Sequence, residues 1–328
     1  MTDPIPPSYC RAGSMKNQTL AAVSGPGIAV LLLVVGCATG GTRAITPPPD
    51  CARWQALIDR ADQAARQGRW NRAAALYRKY LKRCTDGSHS IAARLDYAAA
   101  LRSAGRLHDA FEAYVELLQR HPAAAPRDRV LQHMFEIARH LAQQRHARWL
   151  FGGFTLPERV VPLLEQIISF GPGWEGTPAV LLLLGELHRQ MHEFDLAAEK
   201  FRRLIEKYPD SPEAEEAAFA QAACLYRLSE RYPNDRGLLD SAWSAISYFL
   251  DRFPRSDYAP MARSYREALL KRRAQAEFDV ARFYDRIGRN PQAALRAYRR
   301  FIRKYPHSGW TDAARRRIQE LERQLSEN

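Results

Sequence analysis

Nowhere in its 328 residues does the chain alternate strictly between apolar and polar side chains, so the half-buried strands of a sheet are excluded. Lysine is scarce as well, with seven among 49 basic residues, the rest being arginine. Long apolar runs are missing: "GIAVLLLVVG", Gly27 to Gly36, falls well short of the ~20 residues that cross a hydrocarbon layer of roughly 30 Å. Catalytic signatures are missing too. There is no Gly-x-Ser-x-Gly and no Ser-x-x-Lys, and acidic pairs such as Glu213 and Glu215 sit among charged neighbours. "GPGWEG", Gly171 to Gly176, satisfies G-x-G-x-x-G, but a dinucleotide fingerprint needs a strand before it and a packed helix after it, and here both flanks have helical periodicity. His188 and His192 have a zinc-compatible spacing, yet no cysteine or carboxylate set completes a site. They read as solvated surface. No metal, cofactor or enzymatic activity is expected.

What is present begins with a leader. Met15 and Lys16 open a short basic region, the apolar run follows, and Cys37 comes directly after it in "LVVGCATGG". That string resembles the lipobox of bacterial lipoproteins, with Val34, Val35 and Gly36 ahead of the cysteine and Val34 where leucine is preferred. Residues 1–36 are therefore read as an export signal, with translation expected to start at Met15, because "MTDPIPPSYCRAGS" suits no signal peptide. The resemblance implies palmitate-type acylation of Cys37, whose several acyl chains would hold the protein to a bilayer. Ala38 in place of aspartate implies the outer membrane, with the chain facing the periplasm. Losing Asp3, Arg11 and Lys16 with the leader lowers the net charge from +13 to +12. An exported lipoprotein meets no nucleic acid, so this charge points to acidic protein segments or anionic headgroups, or simply to solvated helix faces.

Residues 37–50, "CATGGTRAITPPPD", form a lipidated, proline-rich tether. Beyond it apolar residues recur at three and four. Residues 51–126 read as two helical hairpins: Ala61, Gly68, Ala73, Tyr77 and Leu81 are matched in register by Ala98, Gly105, Ala110, Tyr114 and Leu118. Residues 178–328 continue the pattern with Gly185, Ala197, Phe201, Ile205 and Pro209, then Ala242, Ile246, Leu250 and Pro254, then Ala294, Tyr298, Ile302 and Pro306, and end in an amphipathic capping helix. "KYPDS", "RFPRS" and "KYPHS" mark the repeat ends, where proline stops one helix and Ser211, Ser256 or Ser308 is placed to cap the next. Asp257 to Ile287 reads as one long helix, and residues 127–177 as an irregular helical connection, either a degenerate repeat or a domain joint.

This spacing of small residues, aromatics and prolines resembles the tetratricopeptide repeat, so the expected fold is all-α: a helical-hairpin solenoid of about five repeats plus the capping helix. Cys51 and Cys84 lie 17 residues before and 16 after Gly68, which brings them to one end of the first hairpin, either disulfide-bonded or as two free thiols. Cys224 reads as core. Residues facing the groove formed by the first helices are nominated as Asp62, Arg66, Asp96, Arg102, Glu186 and Arg189. The planar fork of arginine suits carboxylates, so acidic or C-terminal peptide segments are the expected ligands.

The lipobox, the long first helices and "AEFDVARFYDRIGRNPQAALRAYRRFIRKYP" together resemble the BamD family of outer-membrane assembly lipoproteins. Two departures stand out: one extra residue lies between Gly288 and Ala294, and Ala297 replaces a frequent basic residue, with Arg296 beside it. The resemblance implies a non-catalytic scaffold of the barrel-assembly complex that binds the insertase, its fellow subunits and nascent barrel proteins. The other reading is an adaptor lipoprotein for a secretin or for cell-wall coordination.

Overall fold

The computed structural model describes residues 51, 53–85, 88–143 and 156–326; the leader, Cys37, the tether and residues 144–155 lie outside it. Thirteen α-helices appear among the described residues, and no strand: α1 (Gln55–Arg66), α2 (Trp70–Leu81), α3 (Ser88–Ser103), α4 (Leu107–Arg120), α5 (Arg127–Gln143), α6 (Leu156–Phe170), α7 (Thr177–Gln190), α8 (Phe194–Lys207), α9 (Ala214–Arg231), α10 (Arg236–Arg252), α11 (Ala259–Arg282), α12 (Pro291–Lys304) and α13 (Thr311–Ser326). Each helix packs on the next, and α5 on α7, α7 on α9 and α9 on α11 also touch. That order is a row of antiparallel hairpins with first helices side by side, the architecture of tetratricopeptide-like solenoids.

In four of the hairpins the seam is a small residue under an aromatic one. Ala61 and Tyr77, Ala98 and Tyr114, Gly185 and Phe201, and Ala281 and Tyr298 are all buried, and losing one such ring would cost about 3–5 kcal/mol. Two hairpins turn on a left-handed glycine, Gly68 (φ 71°) and Gly105 (φ 76°), with Arg69 and Arg106 N–H returning to the carbonyls of Ala64 and Leu101. The third such turn uses His192 at φ 60°.

The α11–α12 turn absorbs the extra residue. A π-helical turn, Phe283–Ile287, closes with Gly288 N–H donating to the Phe283 carbonyl at 2.8 Å, and the left-handed position passes from Gly288 to Arg289 (φ 42°). The irregular block 127–177 contributes α5 and α6, which pack on each other and on α4 and α7 and share one apolar core that runs from Ala61 to Leu187. A second core joins Leu181 to Leu269, and a third gathers Ala274 to Leu321, so the long α11 belongs to two cores.

The repeat-end serines shape turns rather than cap helices. Ser211, Ser256 and Ser308 each donate their N–H to the carbonyl of the aromatic residue three places earlier, at 3.1, 3.2 and 3.3 Å. The Ser256 and Ser308 hydroxyls accept from the amides of Tyr258 (3.1 Å) and Trp310 (3.4 Å), while Ser211 Oγ is buried without a partner. "GPGWEG" is such a turn as well. Trp174 folds over Gly176, where a Cβ would lie 2.3 Å from its ring, and meets Phe135 edge-on.

Candidate functional site: a polar groove on the first helices

The first helices α1, α3 and α5 present a run of polar side chains where they lie side by side. On α5 it comes from Arg129, His133 and Glu136, at helical spacing opposite the buried Val130, Leu131, Met134, Ile137 and Ala138. On α3 it comes from Asp96 and Arg102, on α1 from Asp62 and Arg66. A cleft of about 230 Å³ opens between Ala92, Asp96, Tyr114, Arg129 and His133, and another of about 400 Å³ between Arg102, Leu107, Glu136 and His140.

The electrostatics are internally compensated. Arg102 Nη1 donates to Glu136 Oε2 at 2.8 Å and meets His133 Nδ1 at 2.9 Å, and the His133 ring stacks on Tyr114 with centroids 5.7 Å apart. Burial works against ionisation of Glu136, but hydrogen bonds from Gln132 and His133 and the Arg102 charge hold its carboxyl below the usual range. Burial and Arg102 push His133 below an ordinary imidazole, with Glu136 opposing. Desolvation and the neighbouring Asp62 raise Asp96, and Arg129 opposes them. The Tyr77 hydroxyl donates to Asp62, and burial together with that carboxylate raises the phenol well above its normal value.

The six nominated residues therefore fall into two places. Asp62, Arg66, Asp96 and Arg102 share the α1–α3–α5 surface, whereas Glu186 and Arg189 lie on α7 and bond each other, Arg189 Nε reaching Glu186 Oε2 at 3.0 Å. Beside that pair, burial pushes the Cys224 thiol up to about 12, which leaves it an inert core group. Asp62, Arg102, Glu186 and Arg189 are engaged within the chain; Arg66 is exposed, and Asp96 is exposed over much of its surface although partial desolvation and Asp62 raise its carboxyl. Sequence reasoning missed Arg129, His133 and Glu136, although their stripe on α5 was legible as the polar counterpart of its apolar face.

His188 corrects an expectation. It is buried, not solvated, and its Nδ1 lies 2.7 Å from Glu193 Oε2 at the start of α8, while His192 is exposed in the turn. Among the described residues no three His, Cys, Asp or Glu side chains converge on a metal position. At the far end of the first hairpin the sulfurs of Cys51 and Cys84 are in bonding contact, with Cα atoms 5.7 Å apart.

Residues 188–297, from the last turn of α7 to the middle of α12, match the family YfiO, outer membrane lipoprotein. The outer membrane protein assembly factor BamD of Caulobacter vibrioides is 24% identical over 160 residues, a stretch that covers 49% of this chain and 52% of that protein. The chain thus spans about half the length of this curated relative. Among solved structures, a tetratricopeptide-repeat protein of Thermus thermophilus (19% identity, 66% of this chain and 98% of that one, TM-score 0.30) is similar. So is one from Parabacteroides merdae (12% identity, 83% and 99%, TM-score 0.34). In sequence, then, the part of the chain from α7 to α12 is similar to the BamD-like outer membrane lipoproteins.

Proposed function

We propose that this protein is a non-catalytic lipoprotein of the outer membrane that serves as a scaffold in barrel-protein assembly. Cys37 is its acylated anchor, and its periplasmic solenoid holds the insertase, other assembly subunits and nascent barrel segments. The observation that carries this reading is the match of residues 188–297 to an outer membrane lipoprotein family, on a chain folded as a row of helical hairpins. Stacked hairpins offer extended surfaces for binding, and their chemistry here is that of recognition.

The α1–α3–α5 groove is the proposed peptide site. Arg129 lines the cleft beside Asp96, and Arg102 already holds a carboxylate, Glu136, whose place a ligand carboxylate can take. Affinity capture of the full chain from detergent-solubilised outer membranes tests the scaffold reading: the barrel insertase should be recovered, and recovery of a secretin without it would overturn the proposal in favour of a pilot lipoprotein. For the groove, a peptide with a free C-terminal carboxylate should bind more tightly than its amidated form. Arg129→Glu should abolish that preference, and equal binding of both forms would remove the groove from the account.

A further inference from the structure

Three large apolar side chains stand in solvent at the tip of the α11–α12 hairpin: Phe283 is 52% exposed, Tyr284 40% and Ile287 72%. This is not a frayed end. Between them Asp285 turns inward, where Arg317 of α13 grips it through Nε and Nη2, both at 2.8 Å, and the Tyr298 hydroxyl of α12 donates to it at 3.3 Å. The π turn thus pins its middle residue to two other helices and points the neighbours outward. Such turns concentrate at functional positions.

The surroundings are strongly basic. Residues 259–326 hold seventeen arginines and lysines against seven aspartates and glutamates, leaving +10 of the chain's net +13. Arg286 and Arg289 flank the apolar cluster, are exposed, and take part in none of the ion pairs of this module.

We infer that this tip is a membrane contact, in which Phe283, Tyr284 and Ile287 enter the headgroup layer of an anionic bilayer while Arg286 and Arg289 engage lipid phosphates. A projecting cluster requires a matching acidic pocket from a protein partner, whereas the interfacial layer receives aromatic and aliphatic side chains of any outline. Positive charge at the rim fixes the sign of the surface. Each arginine near an anionic leaflet is worth about 1 kcal/mol, close to fivefold in the insertion equilibrium.

The test places an environment-sensitive fluorescent amino acid in the full chain at position 287 or, as a control, at position 255, in the turn that precedes α11. On vesicles containing anionic phosphatidylglycerol the probe at 287 should shift to the blue and be quenched by brominated acyl chains. Pure phosphatidylcholine should give little shift, and position 255 none on either. Arg286→Gln and Arg289→Gln should each lower the inserted fraction about fivefold at low salt. Both residues are exposed, so folding is not at issue. An unshifted probe at 287, or equal shifts at 287 and 255, would overturn the inference. So would a probe that stays wet on vesicles but is shielded by an acidic amphipathic peptide, since the tip would then be a protein-docking surface. Acylation is read separately from the intact mass, so failure here does not bear on the anchor.

Discussion

Gly185→Ala should destabilise the protein, although a helical glycine normally gains about 1 kcal/mol when replaced by alanine. A Cβ at this position would sit 2.4, 2.6 and 2.7 Å from Cε1, Cζ and Cδ1 of Phe201, about 1 Å inside the ~3.5–4.0 Å of an unstrained carbon contact. The ring cannot swing away, because Phe201 is fully buried in the core that joins Leu181 to Leu269. Forcing a methyl into such a seam costs about 1–3 kcal/mol, and three simultaneous contacts place this one at the upper end. Against the helical gain the net loss should be about 2 kcal/mol, a fall of about 3–4 °C in the melting temperature of a chain this size. Denaturant and thermal unfolding followed by far-ultraviolet circular dichroism would measure it. Phe201→Leu opens the seam, so in that background Gly185→Ala should turn stabilising, and the double-mutant cycle should show a coupling of about 2–3 kcal/mol. A higher melting temperature for Gly185→Ala alone would refute the close hairpin seam on which the fold assignment rests.

Replacing Cys51 and Cys84 by serine opens a loop with a sequence separation of 33 and should cost about 3–4 kcal/mol in the chain-entropy model, with mass spectrometry of non-reduced peptides checking the link first. His192→Gly should stabilise by about 1 kcal/mol in the same unfolding assay, since it relieves a β-carbon held at φ 60°. Because the folded pKa of His133 lies below its unfolded value, stability should fall as pH drops from about 6.5 towards that folded value, and His133→Gln should flatten that slope in melting temperature against pH. Arg317 holds Asp285 below the usual carboxylate range, so its contribution is complete above the ordinary Asp pKa and lost only as pH falls through the depressed one. Asp285→Asn should cost about 1–3 kcal/mol at neutral pH and least in acid.

The hairpin row was legible because its signals are local. The offset of twelve from a small residue to the next helix's alanine, and of sixteen to the buried aromatic, is written into three repeats: Ala61, Ala73 and Tyr77; Ala98, Ala110 and Tyr114; and Gly185, Ala197 and Phe201. The extra residue between Gly288 and Ala294 was visible as well, but its consequence was not: the π turn at Phe283–Ile287 carries Asp285, which Arg317 bonds from 32 positions away. Residues 127–177 resisted the template because twelve residues separate α5 from α6 where most other hairpins have a few, although both helices bury an ordinary apolar face.

The site was less readable for the same reason. Orientation towards the groove follows from helical periodicity, which is why Asp62, Asp96 and Arg102 were nominated. Engagement follows from partners far along the chain: the Tyr77 hydroxyl bonds Asp62 from 15 positions away, and Glu136 pairs with Arg102 across 34. A polar residue on a first helix is therefore not a free ligand group until its neighbours on the other helices are known. By that criterion Arg129, which the sequence pattern left unnamed, is a stronger candidate contact than Arg189, whose guanidinium is held by Glu186 one turn earlier on the same helix. Charge reversal at the two positions separates them. If peptide affinity falls with Arg189→Glu and not with Arg129→Glu, the groove lies along α7 and α9, and the α1–α3–α5 surface is only the solvated face of a scaffold.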